Sequence, residues 1–512
     1  MTTRMTLRAG LIAGISCLAF AAQAAPPTRE AVMAAIPQLV AQARAQIEGG
    51  GVPGLAIAVV YHDEVVFSDG FGLRAAGRPE TVSAGTVFQL ASLSKPISAT
   101  VVAALVSDNV VEWDSTIASL DPAFQLRPAY PSQQVTVRDL FNHRSGLPGD
   151  AGNELEALGY PRDEILRRLR FVPPASSFRA GYSYSNFGLT EGGVAAAKPT
   201  GKPWEEVADE KLYKPLGMAS TSSRYRAFLG RGDRAELHIR QDGKWAPALK
   251  RAPDAQAPAG GVSSTVIDLA QWMRLELANG KFNGSQIIAA DALAATHEPL
   301  MSRGTHPVTG ASSFYGLGWV VDYGRHGLSW GHAGAFSVGA RSLVTLYPEA
   351  QLGIVVLTNA FPTGVPEGLA DNFFDMVFDG KPGKDWIGPW NAAYTGMFAP
   401  AADAAKKAFA PPPGGVLPAL PLESYEGTYG NDYLGRAQVM RSGDGLALTL
   451  GPNGRVTFPL KHFNRDVFLY YPTPEMPDFP SAVSFTTGPD GRTTQVTVED
   501  LNAFGVGVLR RE

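Results

Sequence analysis

The sequence predicts an α/β domain built on a single sheet, followed by a small all-β domain. Three features lead there. Strand-like runs stand near the start, in GLAIAVVY (54–61) and EVVFSDG (64–70). They return late, in FYGLGWVVDYG (314–324), ARSLVTLYP (340–348) and LGIVVLTN (352–359). The sequence between is rich in helices and loops, which suggests one sheet assembled from both ends of the domain. Beyond about residue 380 the composition shifts to Ala, Pro and Gly over 396–421, and from Leu422 the pattern is short alternating strands broken by Gly, Asn and Asp turns.

Taken in order, the first element is a positively charged, then apolar, segment. Arg4 and Arg8 precede the run Leu11 to Phe20, and Ala22-Gln23-Ala24 supplies an A-x-A cleavage site. This is the pattern of a secretory leader, cleaved before Ala25. The only cysteine, Cys17, falls inside it, so the mature chain is expected to have neither disulfide nor thiol chemistry. Residues 28–48 space Val32, Ile36, Val40 and Ala43 as a helix, which Pro37 should kink or restart and Gly49-Gly50-Gly51 should end. The runs 54–61 and 64–70 read as a hairpin. A helix is expected from Ser92 through Asp108, with Pro96 tolerated in its first turn. The expected divisions are a leader over 1–24, the α/β domain over 25–395, a helix and Pro/Ala-rich linker over 396–421, and the β-domain over 422–512.

Over 512 residues, 45% are hydrophobic and 18% charged, and the formal net charge is −4. That is a globular composition without the basic excess that draws a protein to nucleic acid or an anionic membrane. No nucleic acid and no stable membrane association are therefore expected. The eight histidines are scattered, no metal-binding motif is present, and no glycine-rich loop has a nucleotide-binding pattern. No metal and no cofactor are expected.

Three short motifs carry chemistry. Ser92 and Lys95 stand three apart, so on a helix they share a face. Backbone N–H groups at a helix start favour a developing oxyanion, and a lysine on an apolar face loses pKa and can take a serine proton. The second motif is YSYSNFG (182–188), where Tyr184 and Asn186 would point to one side of an extended segment. The third is GHAGAFSVG (331–339), with His332 two residues before Gly334 at the expected start of a strand.

In order and spacing these motifs resemble the serine β-lactamase-like family, which includes class C β-lactamases, D-Ala-D-Ala carboxypeptidases, D-aminopeptidases and related esterases. FNHRSGLPG (141–149) and PAGGVSSTVIDLAQWM (258–273) look like the same family over roughly residues 30 to 380. YEGTYGN (425–431) is similar to the lipocalin-like β-domain appended to such hydrolases. The resemblance implies a β-lactamase-like fold, a sheet sandwiched by helices plus a helical lobe, followed by a small barrel. It also implies roles. Ser92 would be the acylated nucleophile. Lys95 would keep Ser92 and Tyr184 reactive. Tyr184 would act as general base and then acid, and Asn186 would bind the substrate amide and Lys95. The backbone N–H groups of Ser92 and Ala335 would form the oxyanion hole beside Gly334.

One departure stands out. Penicillin-acting relatives carry Lys-Thr-Gly where this chain has His332-Ala333-Gly334. A histidine at the rim, titrating near ~6.5, would tune the binding of a substrate carboxylate. The expected activity is cleavage of an amide or ester, first of peptides containing D-residues, then of small esters, then of β-lactams. An inactive binder of cell-wall fragments is the rival from another class. Finally, GLSWG (327–331) matches the nucleophile elbow of another hydrolase fold. It lacks a following helix, and beyond His332 the only histidine is His462, in the β-domain.

Overall fold

A computed structural model describes residues 26–397, 399–472 and 479–512. The expected leader, its cleavage site and Cys17 lie outside the described residues. None of the described helices is long and apolar enough to cross a membrane.

The first domain holds an eight-stranded antiparallel sheet. Its strands are β1 (Gly54–Tyr61), β2 (Glu64–Gly72), β3 (Met301–Thr305), β4 (Ser312–Tyr315), β5 (Val320–Gly324), β6 (Gly327–Phe336), β7 (Ala340–Tyr347) and β8 (Leu352–Thr358). The order across the sheet is β2-β1-β8-β7-β6-β5-β4-β3, so the first hairpin joins the last strand, as expected. The longer helices are α1 (Arg29–Glu48), α2 (Ser94–Ser107), α3 (Asn186–Ala197), α4 (Val266–Leu277) and α5 (Val365–Asp379).

Strand β1 shows why a continuous apolar run was needed. Leu55, Ile57 and Val59 pack with Val32 and Leu39 of α1 and Leu369 and Phe373 of α5. Ala56, Ala58 and Val60 face the other way, into the core with Ile97 of α2 and Leu269 and Met273 of α4. Successive side chains alternate faces, so a strand covered on both sides must be apolar throughout. Helix α1 runs through Pro37 without ending. A proline inside a helix costs about 3 kcal/mol. Burying Val32, Ile36, Leu39 and Ala43 against the sheet offsets it.

The α-helix expected from Ser92 begins at Ser94. Ser92 itself lies in a preceding 3₁₀ turn, Ala91–Leu93. His332 is not at a strand start but well inside β6. Short helices between β2 and β3, such as Val137–Phe141 and Arg162–Arg168, build the helical lobe.

Two further helices, Ile387–Gly396 and Ala399–Ala408, lead into a closed eight-stranded barrel. Its strands include β9 (Gly427–Asn431), β10 (Gly435–Ser442), β11 (Gly445–Leu450) and β12 (Val456–Asn464). Side chains fill its interior, among them Val439, Leu448, Val483, Val496 and Leu509. The barrel docks on the helical lobe through its turns. Tyr160 Oη donates to the Leu434 carbonyl at 2.7 Å.

Gly451, at φ +83, lies so close that an added Cβ would stand 2.4 Å from the Leu158 carbonyl oxygen. Gly443 has φ +59 and open space around it. Gly443→Ala should therefore cost about 1 kcal/mol, for the left-handed backbone alone. Gly451→Ala should cost at least about 2 kcal/mol, because the docking contact is lost as well. Thermal unfolding of the two variants checks the difference.

Candidate active site

The residues singled out in the three motifs converge at the end of α2. Leu90 fixes the turn that carries Ser92. Its N–H donates to the Val262 carbonyl at 2.9 Å, and its own carbonyl accepts from Ser342 Oγ at 2.6 Å. Ser94 Oγ accepts from the Val262 N–H at 2.9 Å. Ala91 is held at φ +49, a left-handed backbone that costs an L-residue about 1–2 kcal/mol. Strand β6 packs directly on this turn. A Cβ on Gly334 would come 2.1 Å from the Leu90 carbonyl oxygen, so only glycine fits. Ala335, beside it, pairs with Arg341 of β7. Pairing of β6 with β5 ends at Gly331, so on that side residues 332–336 have no strand partner among the described residues.

Lys95 is wholly buried. Its Nζ lies 2.7 Å from Asn186 Oδ1, 3.0 Å from the Ala259 carbonyl and 3.0 Å from Ser92 Oγ. Burial pushes its pKa well below the ordinary lysine value. A neutral amine has two N–H donors and one lone pair. The two carbonyl oxygens can only accept, so they take both donors, and the lone pair is left for the Ser92 proton.

Asn186 is not in an extended segment, as expected, but is the first residue of α3. Ser185 is its cap, accepting from the Gly188 N–H at 3.1 Å. Asn186 Nδ2 donates to Asn153 Oδ1 at 3.2 Å, which orients the amide with its oxygen toward Lys95. Tyr184, two residues earlier, stands beside Ser92. Lys95 Nζ lies 4.5 Å from the centre of its ring. Burial pushes the Tyr184 phenol well above the usual tyrosine value, so the protonated form prevails.

His332 departs from its expected part. Its Nδ1 donates to the Ala333 carbonyl at 2.7 Å, and its Nε2 accepts from Tyr315 Oη at 2.9 Å. Both nitrogens are engaged, and burial holds the imidazole well below the ordinary histidine value. It stays neutral near pH 6.5 and offers no switchable charge to a carboxylate. The exposed cation near these groups is Arg303 of β3. It donates to Ser313 Oγ at 3.0 Å and lies near the Tyr182 phenol, which burial pushes up to about 12.

Motif spacing missed His143, Asn153, Ala259, Arg303 and Tyr315. His143 sits at φ +60, and its Nδ1 accepts the Ser185 N–H at 3.0 Å, which anchors the start of α3. Its ring lies 4.6 Å from that of Tyr184. His143 and Ala259 fall in strings that carried the family resemblance, so a signal existed for them. Asn153, Arg303 and Tyr315 had none. Ser329 lies mid-strand in β6, paired with Asp322, where no elbow can form. Away from the site, His326, Asp375 and Asp379 converge, but the Arg325 guanidinium already pairs with both carboxylates.

The sequence profile of the Beta-lactamase family matches residues 36–373. A second profile, a domain of unknown function (DUF3471), matches residues 411–506. Unguisins hydrolase ungD' of Aspergillus campestris is 27% identical over 408 residues, covering 74% of this chain and 72% of that protein. D-alanyl-D-alanine-carboxypeptidase/endopeptidase AmpH of Escherichia coli K12 is 23% identical over 351 residues, 67% of this chain and 88% of that one. Esterase EstB of Burkholderia gladioli is 33% identical over a shorter stretch of 181 residues, 32% of this chain and 45% of that one. The octameric penicillin-binding protein homologue from Pyrococcus abyssi shares the fold, with a TM-score of 0.55 at 19% identity, over 93% of this chain and 99% of that one.

An ammonium on Lys95 has no lone pair, so a role as base for Ser92 would require the neutral amine. The pKa is lowered, so the reactive form is present above the folded-state value and is lost as pH falls through it. The rate at which a neutral fluorophosphonate labels Ser92 should rise along one acid limb and level off well below pH 10. Lys95→Ala should lower the plateau by on the order of 10² and remove that limb. Labelling rates measured across pH check both.

Proposed function

We propose that this chain, which belongs to the Beta-lactamase family, is an exported serine hydrolase that opens an amide or ester through an acyl-enzyme on Ser92. The observation that carries the reading is the set of partners around Lys95. Two carbonyl oxygens and the Ser92 hydroxyl surround its nitrogen, so that in the neutral amine the carbonyls take both donors and the lone pair is free for the serine proton. A module that only bound its ligand would have no use for this arrangement.

In the proposed sequence the Ser92 proton passes to Lys95 as Oγ forms a bond to the substrate carbonyl carbon. The electron pair of the carbonyl moves to its oxygen, facing the backbone N–H groups of Ser92 and Ala335. Collapse breaks the bond to the leaving group, which departs with a proton from Tyr184. The phenol recovers that proton from Lys95. Water then attacks the acyl-enzyme by the reverse route and releases Ser92. Tyr184 thus serves first as acid. Its desolvated phenol is a poor base, and the initial base is Lys95.

The substrate proposed first is a peptide with D-residues, in keeping with the name of the AmpH relative. A small ester is the second reading, favoured by the EstB stretch and by Ala333, which offers no hydroxyl to a carboxylate. A carboxylate-bearing substrate would meet Arg303 rather than His332. Export rests on the leader pattern over residues 1–24.

Ser92→Ala should abolish both turnover and fluorophosphonate labelling with the fold intact, whereas Ser329→Ala should retain most activity. Mass spectrometry of the labelled peptide decides, and an adduct on Ser329 would refute the assignment. For a D-peptide with a free carboxylate, Arg303→Ala should raise KM by on the order of tenfold, the scale of one charge-assisted hydrogen bond. The methyl ester of the same peptide should be unaffected. Comparing KM for the pair checks this.

A further inference from the structure

The barrel reaches the catalytic lysine through a short relay of hydrogen bonds. Its β9–β10 turn is buried in the first domain, with Tyr433 and Leu434 almost without exposure. Tyr433 Oη accepts from the Gly152 N–H at 2.9 Å and donates to the Glu154 carboxylate. One hydroxyl thus holds the residues on either side of Asn153. Asn153 Nδ2 donates to Asp150 Oδ1 at 3.1 Å, which leaves its Oδ1 to accept from Asn186 Nδ2. Asn186 Oδ1 in turn accepts from Lys95.

The turn itself is fixed from several sides. Asn431 Oδ1 accepts from the Leu434 N–H at 2.6 Å, and its Nδ2 donates to the carbonyls of Val506 and Val508 at 2.8 and 2.9 Å. Arg168 Nη1 donates to the Tyr433 carbonyl at 2.5 Å. Gly152, at φ +91, has no Cβ and no side chain of its own with which to hold the start of the Asn153–Ala157 helix. The barrel supplies that hold.

We propose that Tyr433 is a positioning residue for the reaction, setting Asn186 and thereby Lys95 through Gly152, Glu154 and Asn153. This rests on the proposed role of Lys95 as the base for Ser92. The barrel is then part of the catalytic apparatus and not an appended module. Loss of the hydroxyl frees Asn153, loosens Asn186 and admits water to Lys95. Hydration favours the ammonium, so the acid limb moves to higher pH.

The test is the pH dependence of fluorophosphonate labelling of Ser92 in the full chain. Tyr433→Phe keeps the buried ring and removes one oxygen. It should slow labelling at neutral pH by about tenfold and move the acid limb up by about half a unit or more. Asn153→Ala should do the same, and the double variant should be no worse than the more affected single one, because both act on one relay. Tyr160→Phe removes another barrel contact, that to the Leu434 carbonyl, and should leave rate and limb as in wild type. If Tyr433→Phe does not fold, Glu154→Ala removes the acceptor of the same hydroxyl and carries the same expectation. A limb that stays in place, additive losses, or an equal effect of Tyr160→Phe would each overturn the proposal. Wild-type protein that takes no label on Ser92 would overturn the reading of Lys95, and this inference with it. Label on Ser92 with an unmoved profile overturns this inference alone.

Discussion

A lysine stripped of water at the centre of the first domain is the constraint from which the rest follows. Burying an ammonium without full compensation is expensive, so burial drives the pKa of the group well below the ordinary lysine value. The surroundings accommodate the neutral amine. Asn186 and Ala259 present oxygens that can only accept, and Ser92 presents a hydroxyl. The nearby titratable groups follow the same logic. Burial holds His143 and His332 down and the phenols of Tyr184 and Tyr315 up, so all four favour their neutral forms. Beside this neutral nest Arg303 is an exposed cation.

The geometry around Ser92 shows how close packing holds a strained turn. Ala91 adopts a left-handed backbone, which persists only where neighbours over-determine it. Here Ser342 and Val262 clamp Leu90, and Gly334 of β6 lies against the Leu90 carbonyl. The strand that carries Ala335 is therefore set against the serine by contact rather than by a flexible connection. The same contact explains the glycine of the third motif. Its missing Cβ makes room for a carbonyl.

The barrel completes this view of a site built by mutual support. Its core is filled by its own side chains, and its turns, not its interior, meet the first domain. Two of these contacts are made at glycines, Gly451 against Leu158 and the Gly152 N–H against Tyr433 Oη. Such contacts tolerate little displacement, which suits a relay that ends on a lysine.

The sequence by itself determined the local relations. Spacing of three put Ser92 and Lys95 on one face, and the apolar run of β1 marked it as a strand of the first hairpin. The order of motifs pointed to the fold. Periodicity reports such features because they depend on neighbours a few residues apart. It misjudged local geometry at Asn186, which opens α3 behind its Ser185 cap instead of lying in an extended segment. Protonation and partnership were decided only in the folded chain. His332 is neutral because Tyr315 and Ala333 engage both of its nitrogens. Asn153 matters because Asn186, far along the chain, turns its amide to meet it, and Tyr433 because a barrel turn is buried in another domain. Desolvation and the count of donors against acceptors belong to a place in space, and residues from distant segments make that place.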